Sequence, residues 1–135
     1  MKLIQKNISM IAFLLILVFL SGCGRTITMP DIWMVSYVEI QDEINENQEH
    51  KIYSETQEME AIIELIKASK VVDPPKLKNM KEAEEFYRDN PITKLIMLKD
   101  GKYTAASFAY FKDGLLYSMD KMQFAKISEE IEKYF

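Results

Sequence analysis

"ITKLIMLKDGKYTAASFAYFKDGLLYSMD", residues 92–120, is the stretch that decides the fold class. It holds three apolar runs that are separated by Asp-Gly pairs at 100–101 and 113–114. Asp-Gly favours two-residue hairpin turns, because both residue types tolerate a positive φ. The pattern therefore predicts an antiparallel meander with strands at residues 93–99, 102–112 and 115–119.

A further hairpin is predicted upstream of this meander. Residues 33–41, WMVSYVEIQ, are rich in β-branched and aromatic side chains and predict a strand. Residues 50–53, HKIY, predict a short returning strand. The polar and acidic residues 42–49 between them predict a solvated loop.

Three segments predict helices. The first follows Ser54, which forms a capping-box pattern with Gln57, and one helical face carries Met59, Ile62, Ile63 and Ile66. The second covers residues 80–88, with Asn79 as its cap. The third is capped by Asp120, and its apolar stripe is Phe124, Ile127, Ile131 and Phe135.

The predicted element order is β-β-α-(α)-β-β-β-α. Amphipathic helices with one apolar face each cover one side of a sheet. The sequence therefore predicts an α+β domain in which a single antiparallel sheet of about five strands carries two main helices on one face.

The amino terminus has the layout of a secretory signal peptide. A short basic start with Lys2 and Lys6 leads into an apolar run over residues 8–20, and two small residues follow. Leu20-Ser21-Gly22-Cys23 resembles the lipobox of bacterial lipoproteins. That resemblance implies that a diacylglycerol with acyl chains such as palmitate is attached to Cys23, and that residues 1–22 are cleaved off. The alternative is a short amphiphilic anchor with an incidental cysteine.

The chain behind this signal supports one domain. We expect residues 23–32 to be the lipidated cysteine and a tether, and residues 33–135 to be a single domain. Residues 1–22 carry two of the 17 basic residues and none of the 21 acidic ones, so the remaining 113 residues have a net charge of −6. Such a body is repelled by phosphate backbones, which argues against nucleic acid as a partner. It is also repelled by anionic lipid.

Few residues offer chemistry. His50 has no metal-ligand partner at a suitable spacing, which predicts an exposed structural role. The acidic residues of the 42–49 loop lack the glycine and the spacing of a calcium loop. Acidic pairs at 84–85 and 129–130 lie next to each other on predicted helices, so their side chains diverge. The sequence therefore predicts no cofactor, no metal and no catalytic residue.

Aromatic residues occur on both predicted faces of the central strand. A strand in a sheet covered on one side should be polar on the other. One interpretation is that loops or the helix at residues 80–88 cover the second face, and the other is that the face is a docking surface. The candidate residues for such a surface are Tyr37, Tyr103, Phe108, Tyr110 and Tyr117.

The region after the signal resembles the small YhfM-like lipoprotein domains of Gram-positive bacteria. The likeness lies in KLIMLKDGKY at residues 94–103, placed between the MEAIIELI helix at 59–66 and a last amphipathic helix. It implies location and architecture but no activity.

We therefore expect a lipid-anchored protein on the extracytoplasmic face of the cell membrane that acts as a non-catalytic binding or accessory module. It would take a protein or another cell-envelope component as its partner. The alternatives are a cell-wall hydrolase or transferase with carboxylates brought together by the fold, and an inhibitor or immunity-type protein.

Overall fold

A computed structural model describes residues 25–44 and 49–135. The predicted signal peptide and Cys23 lie outside the described residues, as does the middle of the acidic loop at 45–48. Within the two described ranges the chain forms one sheet, two α-helices and two 3-10 helices.

One antiparallel sheet of seven strands forms the centre of the domain, which confirms the α+β class. In spatial order the strands are β2-β1-β4-β5-β6-β7-β3. The strands are β1 (Tyr37–Asp42), β2 (His50–Tyr53), β3 (Lys70–Val72), β4 (Lys94–Asp100), β5 (Tyr103–Tyr110), β6 (Leu115–Ser118) and β7 (Gln123–Lys126). The β1–β2 hairpin and the β4–β5–β6 meander are the predicted ones, and β3 and β7 are additional strands.

Two α-helices and two short 3-10 helices accompany the sheet. They are α1 (Thr56–Lys67), α2 (Met80–Asp89), η1 (Ile32–Met34) and η2 (Glu129–Tyr134). Helix α1 buries the four apolar side chains that its periodicity identified. It starts after Glu55, which makes no side-chain capping bond, so the predicted box of Ser54 and Gln57 is wrong. The prediction for α2 is confirmed, because Asn79 accepts a hydrogen bond from the Glu82 N–H at 2.9 Å.

The predicted final helix is wrong over its first half. Residues 123–126 form β7, which pairs with β6 on one side and with β3 on the other. The backbone N–H and C=O groups on both sides of β7 are thereby hydrogen-bonded to neighbouring strands. This tertiary pairing outweighs the local helical spacing of Phe124 and Ile127. Asp120 caps no helix, and its carboxylate accepts the N–H of Ser107 at 2.8 Å.

The two faces of the sheet are covered by different elements. The front face carries Val38, Ile96 and Phe108 and packs against α1 and η2, where the main core lies. The back face carries a second buried cluster around Ala109 and Phe111. Helix α2 lies over this cluster, with the Tyr87 ring 6.3 Å from that of Phe111. The two main predicted helices, α1 and the final one, which is reduced to the 3-10 helix η2, therefore both lie on the front face, and the short helix α2 contacts the back face.

A bulge in β5 changes which side chains share a face. Leu98 pairs with Ala106 and Lys99 pairs with Thr104, so Ala105 has no partner in β4. An extra residue in one strand shifts the alternation by one position. Thr104 therefore lies on the face opposite to Phe108, contrary to the simple alternation of the sequence, and its hydroxyl accepts a bond from the Lys99 ammonium at 2.9 Å.

The segment at residues 25–31, expected to be a tether, belongs to the folded domain. Thr26 forms an antiparallel bridge with Lys70, and the Arg25 carbonyl accepts the Val71 N–H at 2.8 Å. Ile27 is buried in the main core. The folded part therefore begins before residue 33.

Candidate functional site

Two of the five aromatic residues predicted for a docking surface lie in the core. Phe108 is 1% exposed and Tyr110 is 2% exposed. The Tyr110 hydroxyl donates to the Glu132 carboxylate at 2.8 Å and accepts the Gly114 N–H at 3.0 Å. Burial, reinforced by the bond to Glu132, raises the pKa of Tyr110 to about 12. Neither ring is available to a partner of the folded domain.

The other three candidate aromatics do not form one patch. Tyr103 lies at the β4–β5 turn and is 81% exposed. Tyr117 is half-buried in the back cluster, with its ring 4.8 Å from that of Phe124. Tyr37 is half-buried on β1, which is three strands away from β6 in the sheet.

The part of the back face outside the α2-covered cluster forms a more coherent surface. We call it the open back surface, and it consists of Tyr37 and Glu39 on β1, His50 and Ile52 on β2, and Met97 on β4. Register pairs Glu39 with both Ile52 and Met97, so these three side chains are cross-strand neighbours. Ile52 is 61% exposed. Of the two interpretations of the back face, coverage by α2 therefore applies to the half around β5–β7.

His50 takes part in this open back surface through an ion-pair geometry. Its Nδ1 lies 2.8 Å from a carboxylate oxygen of Glu39, and its side chain is 43% exposed. Because Glu39 is paired with Ile52 in the sheet, this His50–Glu39 pair lies beside the exposed Ile52 side chain. Within residues 25–44 and 49–135, no three His, Cys, Asp or Glu side chains lie close enough together to hold a metal ion.

A small cleft at one end of the sheet gathers four charged side chains. It has a volume of about 100 Å³ and is lined by Asp42, Glu49, Lys51 and Lys94 together with Phe135. Asp42 lies 3.2 Å from the Lys94 ammonium and accepts the Ile44 N–H at 3.0 Å. Lys51 donates to the main-chain oxygen of Phe135. The two acids and two lysines balance in charge, and the volume is below the roughly 300 Å³ of the smallest typical ligand pockets.

Two larger clefts flank the amino-terminal segment. One, of about 250 Å³, lies between residues 28–30 and strands β5 and β6 and includes Asp120 and Lys121. The other, of about 300 Å³, lies between residues 26–33 and α1 and includes Trp33, Glu64 and Lys67. Trp33 is 79% exposed at its rim.

Sequence reasoning misses this region because it predicts a tether over residues 23–32. The signal that identifies it is the period-two alternation of Ile27 and Met29, which is typical of a chain packed along a sheet.

Comparison with known proteins adds no functional information. No family model matches the chain, and neither the curated proteins nor the solved structures contain a match to it. None of the helices in residues 25–44 and 49–135 is both long and apolar enough to span a bilayer. The likeness to YhfM-like domains therefore stays a prediction from the sequence.

Proposed function

We propose that this protein is a lipoprotein held on the extracytoplasmic face of the cell membrane by an acylated Cys23. The sequence that carries the proposal is Leu20-Ser21-Gly22-Cys23 behind a basic start and an apolar run. Two acyl chains make such an attachment durable, whereas one chain binds only reversibly. In the described part of the chain Thr26 is already paired with Lys70, and only two residues separate it from Cys23.

The activity that we propose for the domain is non-catalytic binding of a protein or another cell-envelope component. The open back surface is the best candidate for this contact. It combines an exposed apolar side chain, Ile52, with the polar pair of His50 and Glu39 and with the half-buried Met97. Mixed apolar and polar surfaces of this kind are typical of non-obligate protein interfaces. An inhibitor or immunity-type protein would use the same surface for a single tight target.

A second candidate function, a cell-wall hydrolase or transferase, is favoured only by the cleft that contains Asp42 and Glu49. Paired carboxylates can act as an acid and a base on a glycosidic bond. However, the Asp42 carboxylate is 3.2 Å from Lys94, and a cleft of about 100 Å³ does not accommodate a sugar ring with its neighbours.

Site-specific photo-crosslinking in intact cells tests the binding proposal. A crosslinkable residue at position 52 should give one discrete adduct, whereas the same residue at position 81, on the exposed side of α2, should give none. Adding Met97→Asp to the first variant should abolish the adduct. Equal adducts from both positions would contradict the open back surface as the contact site.

An activity assay with purified protein tests the alternative. Purified protein should release no soluble product from cell-wall material. If the purified protein does release product, and both Asp42→Asn and Glu49→Gln lose this activity while keeping the fold, the protein is a hydrolase and the binding proposal is wrong.

A further inference from the structure

The attachment of residues 25–31 to the domain limits how far the domain can lie from an anchor at Cys23. Thr26 is paired with Lys70 on β3, and only two residues separate it from Cys23. Three Cα–Cα steps span at most about 11 Å even in a fully extended chain. This inference rests on the proposed acylation, and it places the β3 edge of the sheet next to the headgroups.

Basic side chains are concentrated at this edge. Arg25 precedes the bridge, Lys70 is its partner, and Lys126 pairs with Lys70 across β3 and β7. Lys67, in the last turn of α1, lines the same cleft as Thr26. All four basic side chains are exposed. We call them the basic edge.

The acidic groups near the basic edge are fewer. Glu64 and Asp31 line the cleft beside Lys67, and Asp73 follows the end of β3. Lys126 also donates to the main-chain oxygen of Asp113. The four residues of the basic edge outnumber Asp31, Glu64 and Asp73 by one, although the cleft itself holds two acidic residues and one basic residue.

The opposite edge of the sheet is mainly acidic, although Lys51 on β2 is an exposed basic residue. Glu43 and Glu49 are the exposed, described acids of the β1–β2 loop, and Glu55 and Glu58 lie at the start of α1 beyond β2. Strands β2 and β3 are the two edges, six strand spacings apart. That separation is about 29 Å, well beyond the screening length of about 8 Å at physiological salt. The net charge of −6 predicts repulsion from anionic lipid, but these four acidic residues lie more than a screening length away when the basic edge faces the bilayer.

Trp33 gives the same side of the domain an interfacial side chain. It lies on η1 at the rim of the cleft that contains Thr26 and Lys67, and it is 79% exposed. Tryptophan is enriched at the level of lipid headgroups, because its ring is apolar and its N–H needs a polar partner.

We propose that the basic edge and Trp33 form a surface that docks onto anionic phospholipid headgroups. The domain then stands on the membrane by its β3 edge, with the β1–β2 edge pointing away. Residues Glu39 and Ile52 of the open back surface lie at that outer edge and stay accessible. The anchor supplies proximity, and the basic edge fixes the orientation.

Trp33 is the only tryptophan of the chain, so its fluorescence reports the docking directly. The full chain is purified from cells, its mass is measured, and it is reconstituted into vesicles of brominated phosphatidylcholine with or without phosphatidylglycerol. Quenching of Trp33 should be strong with the anionic lipid and weak without it. Lys67→Glu with Lys70→Glu should reduce the quenching by about half or more, since each basic charge near an anionic surface changes binding about fivefold. The matched control, Lys81→Glu with Lys102→Glu, removes two exposed lysines elsewhere and should leave it unchanged.

The outcomes separate docking from anchoring. An acylated chain whose Trp33 is quenched equally in neutral and anionic vesicles, or not at all, overturns the docking and leaves the anchor in place. Equal loss of quenching in both double variants also overturns it, because net charge alone would then explain the effect. A mass without the acyl addition contradicts the proposed function, and the docking falls with it.

Discussion

Thr26 and Lys70 form an antiparallel bridge that ties the residues following Cys23 to the edge strand of the sheet. Ile27 continues from this bridge into the main core, where it is 2% exposed. Residues 25–31 are therefore a structural part of the domain. This single relationship controls both the stability of the amino-terminal region and its distance from the proposed anchor.

Truncating Ile27 tests this role of the segment. Ile27→Ala should lower the free energy of unfolding by about 2–4 kcal/mol, because it leaves a cavity in the core. Thr28→Ala, at the exposed neighbouring position, should change it by less than about 0.5 kcal/mol. Urea denaturation measures both. Equal stability of the two variants would mean that the segment is a tether after all.

The two hairpin glycines differ in what surrounds them, although both have a positive φ. A Cβ at Gly114 would lie 2.5 Å from the main-chain oxygen of Ile127, whereas a Cβ at Gly101 would meet nothing within 4 Å. Gly101→Ala should therefore cost only the conformational strain of about 1 kcal/mol, and Gly114→Ala should cost clearly more, about 2 kcal/mol or above. Thermal or chemical unfolding checks the order, and a reversed order would contradict the described turn at residues 113–114.

The buried phenol of Tyr110 predicts a loss of stability in alkali. Its pKa is raised to about 12 in the folded domain, whereas an unfolded tyrosine ionises near 10. The folded state therefore holds a proton that the unfolded state loses, so the free energy of unfolding should be constant below pH 10 and fall between pH 10 and 12. In Tyr110→Phe this part of the fall should be absent, although the variant is less stable at neutral pH without the bonds to Glu132 and Gly114. A fall of unchanged size in the variant would assign it to another group, such as Tyr53, whose pKa burial also raises.

The aromatic residues divide into core and surface, and substitution separates the two. Phe108→Ala should cost about 3–5 kcal/mol of stability, as is typical of a buried ring. Tyr103→Ala should cost less than about 0.5 kcal/mol, because its ring is 81% exposed. Differential scanning calorimetry measures both, and a large loss for Tyr103 would mean that its ring packs against the domain.

The parts of the fold that the sequence predicted are those with strong local signals. The two Asp-Gly pairs located the meander, although the first loop is Gly101-Lys102 and only the second is an Asp-Gly turn. The spacing of Ile62 and Ile66 located α1, and Asn79 located the start of α2. The strands that it missed depend on distant partners. Strand β3 has three residues and stands directly before Asp73 and two prolines, so only its pairing with β7 and Thr26 defines it.

The candidate surfaces depend even more on tertiary register. Glu39 meets His50 only because β1 and β2 pair as they do, and Asp42 meets Lys94 only across β1 and β4. The unpaired Ala105 reverses the face of Thr104, which no alternation rule predicts. The burial of Phe108 and Tyr110 could be predicted only with the knowledge that α1 and η2 cover their face of the sheet.

The mass of the amino-terminal peptide, measured on protein isolated from cell membranes, shows whether Cys23 is acylated. We predict a peptide that begins at Cys23 and carries the added mass of a diacylglycerol on its thiol. A peptide that begins at Met1, with an unmodified Cys23 elsewhere in the digest, would contradict the account.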